Sequence, residues 1–393
     1  MNCRKLKDKY AIVGVGYTPQ GKINNRTAIS FYVEAGINAI KDAGLKKEDI
    51  DGLICYRQFA PLLNEPVVTP YLVAQHLGIA PTVLSQESFC QRNHFIQAVA
   101  LLEAGFCNNV LIIYADNAAT GKRMFIEEAT HGESFGDNSL YGEFGFVGDY
   151  AIAANRAMHE FKTGPDTWKH IAVNQRKWAN LNPLAQYYRQ YLTEEEYFNS
   201  PVIAEPFRKY DAALISDGGR ACIVTSVERA KDLKNRVVSI MGMGEANPSV
   251  DIHQADFLTG NTGAKKSGAM AFNMAGISVD DIDACEIYDC FTYTVEVTMQ
   301  DYGFFSKGEG EDFFKDNNTA PGGNMPVNTS GGLLAEAYFM GMTPVTEGVM
   351  QLMGRCGERQ LGEVTGTKEP EIILCCDNGG VLQSHSTIIL RRY

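Results

Sequence analysis

The chain has 393 residues, of which 45% are hydrophobic and 21% charged, and its formal net charge is −12. This length suffices for two or three domain-sized units, and the composition is ordinary for a soluble globular protein. The acidic charge argues against nucleic acid as the main partner, because phosphate backbones are bound by basic surfaces. No apolar run is long enough to cross a bilayer, and residues 1–9 lack the apolar core of a signal peptide, so we expect a cytoplasmic protein without membrane contact.

The ten cysteines show no metal-type spacing. No CxxC pattern occurs, and Cys375 and Cys376 are adjacent within an apolar run. This usage is typical of reduced, mostly buried thiols in a reducing compartment. The sequence therefore predicts neither a metal site nor a bound cofactor.

Strand-like and helix-like stretches alternate along the first third of the chain. An apolar strand ending in glycines is predicted first, and an amphipathic helix follows it. The predicted order is a strand at 10–16, a helix at 29–43, a strand at 53–56, a helix near 71–77, a strand at 82–85, a helix at 89–104 and an apolar strand at 109–114. Such alternation favours a largely parallel sheet covered by helices.

Residues 117–210 change character, being polar, aromatic and glycine-bearing, with helical stretches near 150–161 and 168–181. We interpret them as an inserted loop domain, a kind of region in which functional groups often collect. Residues 132–136 within it match the pattern GxSxG. A nucleophile elbow needs a strand before this pattern and a helix after it, and neither is predicted here, so a serine hydrolase is disfavoured.

One segment of the first half returns in the second half. Residues 43–56 read AGLKKEDIDGLICY, and residues 275–288 read AGISVDDIDACEIY. Both keep an Ala-Gly-aliphatic helix end and an acidic Asp-Ile-Asp turn before a strand. A single repeat of this length indicates two similar α/β halves, and a site between such halves is a natural place for chemistry.

The second half repeats the alternation of the first. Its predicted order is a strand at 237–242, a helix, a strand at 284–289, a helix from 291 to 299, a loop at 317–330, a mostly helical stretch at 331–353 and strands at 371–376 and 386–390. Each half therefore reads βαβαβαββ. The predicted division is an N-terminal half (1–116 with 211–232), the inserted loop domain (117–210) and a C-terminal half (233–393).

This duplicated layout resembles the thiolase superfamily, and four motifs carry the resemblance. They are similar to segments of sterol-carrier-type thiolases and occur in the family's order: residues 210–219, YDAALISDGG; 288–292, YDCFT; 328–335, NTSGGLLA; and 377–382, DNGGVL. The resemblance implies an α/β thiolase fold, with the two halves in a layered αβαβα arrangement. It also implies coenzyme A as part of the substrate.

Two thiolase groups are replaced in this chain. The family's spacing, counted back from Gly105, places Ser88 where thiolases have their nucleophilic cysteine, although Cys90 is close enough to remain a rival nucleophile. The thiolase segment Gly-His-Pro-x-Gly is matched by residues 337–341, so Tyr338 takes the place of the histidine base. Thiolysis needs a thiolate and a base, whereas cleavage through a thioester enolate forms no acyl-enzyme.

Among thiolase-like proteins, the steroid side-chain-cleaving aldolases resemble this chain in lacking the Cys/His pair. The resemblance implies retro-aldol cleavage of a β-hydroxyacyl-CoA to a ketone and a short acyl-CoA such as propionyl-CoA. It implies catalytic tyrosines placed like Tyr293 and like Tyr338. A phenol suits proton donation, so we expect Tyr338 to protonate the enolate and Tyr293 to accept the hydroxyl proton, although the sequence leaves open which tyrosine is acid and which is base. Each tyrosine could instead be a packing residue, and Tyr338 is predicted to lie early in a helix.

Further residues are predicted to position the substrate or to stabilise an oxyanion. They are Ser88 at a helix start, Tyr288 and Asp289 after a strand, Ser330 and Gly331 facing the pantetheine arm, and Gly379 and Gly380 supplying backbone donors. The glycines allow close backbone approach, although a tight turn would also need them.

Two other functions stay open: a thiolase or acyltransferase using Cys90, and a non-catalytic thiolase-like scaffold. The family resemblance also implies a small OB-fold/zinc-ribbon partner protein. A homodimer is expected through a sheet edge at the apolar strand 109–114.

Overall fold

A computed structural model of the chain describes residues 3–58, 65, 67–87, 94–121, 146–248, 262–382 and 384–393. The strands in this part of the chain are β1 (Tyr10–Tyr17), β2 (Gly52–Tyr56), β3 (Val83–Glu87), β4 (Asn109–Asn117), β5 (Val202–Ala204), β6 (Phe207–Arg208), β7 (Asp217–Ser226), β8 (Val238–Ala246), β9 (Ala284–Glu286), β10 (Ile372–Gly379) and β11 (Ser384–Arg392). The helices are α1 (Ala28–Ala43), α2 (Pro70–Leu77), α3 (His94–Glu103), α4 (Phe146–Glu160), α5 (Pro165–Ala179), α6 (Glu194–Phe198), α7 (Val227–Ala230), α8 (Gly263–Ala275), α9 (Thr292–Tyr302), α10 (Gly310–Phe314), α11 (Gly332–Ala335) and α12 (Met342–Met353).

Two half-sheets of matching topology join through β1 and β8, in the order β3-β2-β4-β7-β1-β8-β11-β10-β9. In each half the last strand lies antiparallel between two earlier ones, β7 between β4 and β1, and β11 between β10 and β8. Cys285 of β9 bridges Val327 in parallel, at the place that β3 takes beside β2. The sheet is therefore mixed. The expectation of a largely parallel sheet was wrong, because no helix crossover separates the last two strands of the C-terminal half.

Successive strand residues face different layers, as a side-chain period of two requires. Leu111 and Ile113 of β4 pack with α1 and α2, whereas Ile112 between them packs with α3 and α12. In β10, Ile373 faces the same α3 and α12 layer, and Leu374 packs with α8 and α9. The layers follow as helices, half-sheet, helices, half-sheet and helices, which confirms the predicted αβαβα arrangement.

The repeated segment makes the same hydrogen bonds in both halves. The Asp51 carboxylate accepts the backbone N–H groups of Asn108 and Asn109 where β4 begins, both at 2.8 Å. Asp283, its counterpart, accepts the N–H groups of Glu371 and Ile372 at the start of β10, at 2.7 and 2.9 Å. The preceding helices both end at a left-handed glycine. The duplication inferred from sequence is thus a duplication of structure.

The segment between β4 and β7 carries α4, α5, α6 and the two-stranded β5–β6 ribbon, and the helices predicted near 150–161 and 168–181 are confirmed as α4 and α5. Trp168 of α5 is fully buried and packs beside α9, so the insert covers the C-terminal half. No helix in the described ranges has the length and hydropathy needed to span a membrane.

Two local expectations were wrong. The strand at 109–114 is not a sheet edge, because β4 is hydrogen-bonded to both β2 and β7, and the edge strand of this half is β3. The stretch 331–353 is mostly helical, as predicted, but the expected place of Tyr338 within it was wrong. Residues 336–341 separate α11 from α12, with Met340 in the left-handed region at φ 52°, and Tyr338 lies in this connection rather than early in a helix.

Candidate active site

Two tyrosine hydroxyls meet beyond the carboxyl end of β9. The hydroxyl oxygens of Tyr288 and Tyr338 lie 2.6 Å apart, with the rings roughly perpendicular. The Tyr288 ring is buried and its backbone N–H contacts the Cys376 Sγ at 3.4 Å, while Tyr338 remains partly accessible. Either hydroxyl can donate to the other, so the pair can accept a proton on one oxygen and release one from the other.

The Tyr338 loop, residues 336–341, is held by hydrogen bonds from other parts of the chain. The Tyr338 N–H donates to the Ser216 Oγ at 3.0 Å, and the Gln186 side chain donates to the same oxygen at 2.7 Å. Within the loop, the Tyr338 hydroxyl lies 3.2 Å from the Met340 Sδ. Ser216 belongs to the motif at 210–219, so this motif supports the backbone of the loop that carries Tyr338.

Asp289 is fully buried and accepts the N–H groups of Leu333 and Leu334 at 2.8 and 3.1 Å. Burial raises the pKa of its carboxyl to about 7, and these two donors partly oppose that rise. A Cβ at Gly332 would collide with the Asp289 carboxylate, which explains the need for glycine there. Asp289 therefore ties the start of α11 to the end of β9.

Ser330 and Gly331 also lie in the interior of the protein. The Ser330 Oγ accepts the Gly332 N–H at 3.2 Å, and its carbonyl accepts the Asn182 side chain at 2.9 Å. A Cβ at Gly331 would come within 2.6 Å of the Ala179 Cβ at the end of α5. These contacts give both residues a part in packing α11 against the insert.

The predicted glycine loop follows β10. Gly379 is the last residue of the strand, and Gly380, Val381 and Leu382 all have left-handed backbones, with φ of 55°, 57° and 64°. A β-branched residue rarely adopts this conformation, and such strain concentrates at functional sites. Just before them, the Asn378 Oδ1 accepts the Tyr150 hydroxyl of α4 at 3.0 Å. The insert therefore contacts the strand end from which the loop emerges.

Tyr293, the second residue of α9, is buried in the same apolar cluster as the Tyr288 ring. Its ring meets the Trp168 ring edge-on with 6.0 Å between centroids. Burial raises its pKa well above the usual value, and the carboxylates of Glu296 and Asp301 raise it further. No hydrogen bond joins its hydroxyl to any described residue. The structure brings Tyr338 together with Tyr288, not with Tyr293.

Ser88, Cys90 and the GxSxG segment at 132–136 lie outside the described residues. The eight described cysteine side chains are unpaired, and each has a raised pKa caused chiefly by burial. Cys290 and Cys376, near Tyr288, both have a pKa of about 12. Such thiols stay protonated at neutral pH and are poor nucleophiles. In the described ranges no group of three or more His, Cys, Asp or Glu side chains is arranged to hold a metal ion.

Sequence reasoning named Tyr288 only as a positioning group and gave no role to Gln186. The signal for Tyr288 was present: it closes the repeated segment at a strand end, where side chains reach the crevice between the halves. Gln186 carries no such signal, because its contact with Ser216 depends on the path of the insert.

Comparison with known proteins identifies the family of the chain. Residues 244–392 match the family model described as thiolase C-terminal domain-like. The chain is 32% identical over 376 residues to a steroid side-chain-cleaving aldolase from Thermomonospora curvata, covering 90% of this chain and 93% of the relative. It is 30% identical to the 17-hydroxy-3-oxo-4-pregnene-20-carboxyl-CoA lyase of Mycobacterium tuberculosis, covering 89% and 92%. Other relatives of similar identity are named acetyl-CoA acetyltransferases.

Among solved structures, the Ltp2-ChsH2(DUF35) aldolase matches with a TM-score of 0.86 and 28% identity, covering 98% of both chains. The match extends over the whole fold rather than over one half. Together with the relatives at 30% identity or more, it shows that this chain belongs to the thiolase superfamily, among the thiolase-like proteins that include the steroid side-chain-cleaving aldolases.

Proposed function

We propose that this chain is a carbon–carbon lyase that cleaves a β-hydroxyacyl-CoA, with a steroid-type side chain, by a retro-aldol reaction. The observation that carries this proposal is the hydrogen-bonded pair of Tyr288 and Tyr338 hydroxyls at 2.6 Å, beyond a strand end of a thiolase fold. The similarity to proteins named aldolase and lyase supports the same reaction. A tertiary alcohol at the β-carbon cannot be oxidised to the ketone that thiolysis requires, so retro-aldol cleavage is the route open to such a substrate.

The pair accounts for the proton movements without a charged tyrosine. One phenol accepts the proton of the substrate β-hydroxyl while it donates its own proton across the hydrogen bond. The Cα–Cβ bond breaks, the β-carbon becomes a ketone, and the bond electrons pass into the thioester enolate. In the same concerted step the second phenol receives the proton of the first and gives its own proton to Cα, so that neither oxygen carries two protons and the short acyl-CoA is released. A free phenol has a pKa near ~10, so a relay between two phenols avoids forming a phenolate.

The enolate oxygen needs hydrogen-bond donors, and backbone N–H groups at Gly379 and Gly380 are the proposed source. The left-handed backbone of residues 380–382 supports this role. These residues follow the last pair of the β10–β11 ladder, and their conformation changes the direction of the chain there. Coenzyme A enters as part of the substrate, and no separate cofactor is proposed.

A product assay tests the proposal. The purified chain, alone and with a DUF35 protein, is incubated with 17-hydroxy-3-oxo-4-pregnene-20-carboxyl-CoA in the absence of free CoA. We expect propionyl-CoA and the ring ketone in equal amounts. The acyltransferase function suggested by the acetyltransferase relatives would instead be established by two results. Products would appear only with added free CoA, and mass spectrometry would detect an acyl adduct on Cys90. No product in either condition would leave the scaffold function.

Assembly and location form part of the same proposal. The similarity to the Ltp2-ChsH2(DUF35) aldolase supports a small OB-fold/zinc-ribbon partner for this chain. The edge strand β3, with Leu84 41% exposed and Tyr71 of the adjacent α2 69% exposed, supports a homodimer through this edge. We place the protein in the cytoplasm. Light scattering that shows a stable monomer at micromolar concentration would contradict the dimer.

A further inference from the structure

Arg220 lies in the N-terminal half of the protein yet contacts the loop that carries Tyr338. It is part of β7, which lies between β1 and β4, and its side chain is fully buried. An arginine is rarely buried in this way unless its charge is paired and its donors are satisfied. The residues that pair with the Arg220 guanidinium therefore indicate which part of the structure this side chain fixes in place.

Two partners of the guanidinium, Gln20 and Tyr17, belong to the N-terminal half, and the others lie on both sides of Tyr338. The guanidinium forms an ion pair with Glu336, the first residue of the Tyr338 loop. It donates to the Thr346 Oγ1 at 2.7 Å, in α12 beyond the loop, and it lies over the Phe339 ring at 5.4 Å. One side chain therefore contacts residues before and after the catalytic candidate.

The loop is also packed against β7 itself. A Cβ at Gly218 would lie 2.8 Å from the Phe339 ring, and the Ser216 Oγ just before the strand accepts the Tyr338 N–H. The loop needs this support because Met340 is held at φ 52°, a conformation that an L-residue seldom adopts without constraint. The contacts with β7 come from the other half of the chain, and Thr343 of α12 adds hydrogen bonds to the loop from its own half.

We infer that Arg220 is a positioning residue that acts through Glu336 and Phe339 to set the distance between the Tyr338 and Tyr288 hydroxyls. This inference rests on the proposed function of the tyrosine pair. Buried ion pairs add little net stability compared with well-packed apolar residues, so a role in fixing one geometry accounts for this pair better than a role in stability. A displacement of about 1 Å at a reacting group can cost ~10²-fold in rate.

The test replaces the pair without leaving a buried charge. Arg220→Met alone would leave Glu336 unpaired and could unfold the protein, so the variant is Arg220→Met combined with Glu336→Met. The matched control is Arg359→Met with Glu347→Met, a second buried Arg–Glu pair whose hydrogen bonds reach no residue of the Tyr338 loop. With the steroid CoA thioester above, we expect the first double variant to lose about tenfold or more in kcat at unchanged KM. The control should keep kcat within about twofold, at a similar change in melting temperature.

A crystal structure of the Arg220/Glu336 variant gives a readout that needs no activity. We expect the distance between the two hydroxyl oxygens to exceed hydrogen-bond range, about 3.2 Å. An unchanged distance, or an equal loss of kcat in the control, overturns the inference and leaves the proposed function intact. Full turnover in Tyr338→Phe would instead overturn the proposed function, whatever the distance in the Arg220 variant.

Discussion

Tyr56 and Tyr288 occupy the same position of the repeated segment but do different things. The Tyr56 ring stacks on the His94 ring with 3.5 Å between centroids, and its carbonyl accepts the Tyr32 hydroxyl at 2.7 Å. The Tyr288 hydroxyl instead meets the Tyr338 hydroxyl. The scaffold around the two residues is the same. What differs is the neighbour, His94 of α3 for Tyr56 and Tyr338 before α12 for Tyr288, so the chemistry does not come from the repeated tyrosine alone.

The largest expected effect follows directly from this comparison. Tyr288→Phe and Tyr338→Phe should each reduce turnover of the steroid CoA thioester by ~10²–10⁴-fold, because each removes one oxygen of the proton relay. Tyr56→Phe, the same change at the same repeat position, should leave turnover unchanged. Steady-state formation of propionyl-CoA measures all three. An equal loss of turnover in Tyr56→Phe would mean that the repeated tyrosine of the N-terminal half also takes part in the reaction and is not only a packing residue.

The helices that follow the repeated strands also differ, and this difference predicts a pH dependence. In α2, Tyr71 is 69% exposed, whereas α9 is covered by the insert and buries Glu296. The Glu296 carboxylate accepts the Trp168 Nε1–H at 2.8 Å and the Thr163 hydroxyl. Burial nevertheless dominates and raises the pKa of Glu296 to about 7.

Because the pKa of Glu296 is higher in the folded protein than in the unfolded chain, the folded state binds a proton on this carboxyl more tightly than the unfolded state does. The stability from this group is complete below about pH 4.5 and is lost as the pH rises through about 7, amounting to at most about 3 kcal/mol. Glu296→Gln should remove this decline, measured as the difference in urea unfolding between pH 5 and pH 8. Thr163→Val, which removes a donor to the charged form, should extend the decline to higher pH. If the loss of stability with rising pH is unchanged in Glu296→Gln, Glu296 is not the group that causes it.

The sequence was sufficient for the repeat, the layers and the motif register that singles out Tyr338, because these depend on local pattern and motif order, although it wrongly placed Tyr338 early in a helix. It was insufficient for strand order, so the apolar β4 was taken for an edge although two neighbours flank it. It also did not indicate the hydrogen bond between Tyr288 and Tyr338, while the catalytic role of Tyr293 stays a prediction. Successive helix residues point about 100° apart, so the direction of Tyr293 depended on the first residue of α9. The pairing of Arg220 with Glu336 joins residues 116 positions apart and has no local signal.

The two repeated turns should be equally important for stability. Asp51→Ala and Asp283→Ala each leave two backbone N–H groups at a strand start without their acceptor, at a cost of about 1–3 kcal/mol. Chemical denaturation at pH 5 and 7 measures both variants. Equal losses would show that the duplicated turn has kept the same role in each half. A loss at only one aspartate would show that the two turns have diverged despite their matching hydrogen bonds.

The smallest expected effect separates Tyr293 from Tyr288 as the partner of Tyr338. The Tyr293 hydroxyl has no hydrogen-bond partner among the described residues, so Tyr293→Phe leaves no donor or acceptor unsatisfied and should be nearly neutral for stability. Turnover should stay within about threefold of the native rate, which is less than ~1 kcal/mol in the barrier. The family resemblance predicts the opposite, a large loss in kcat. Parallel assays of Tyr293→Phe and Tyr288→Phe decide the matter, since only the tyrosine that takes part in the relay loses turnover while keeping its melting temperature.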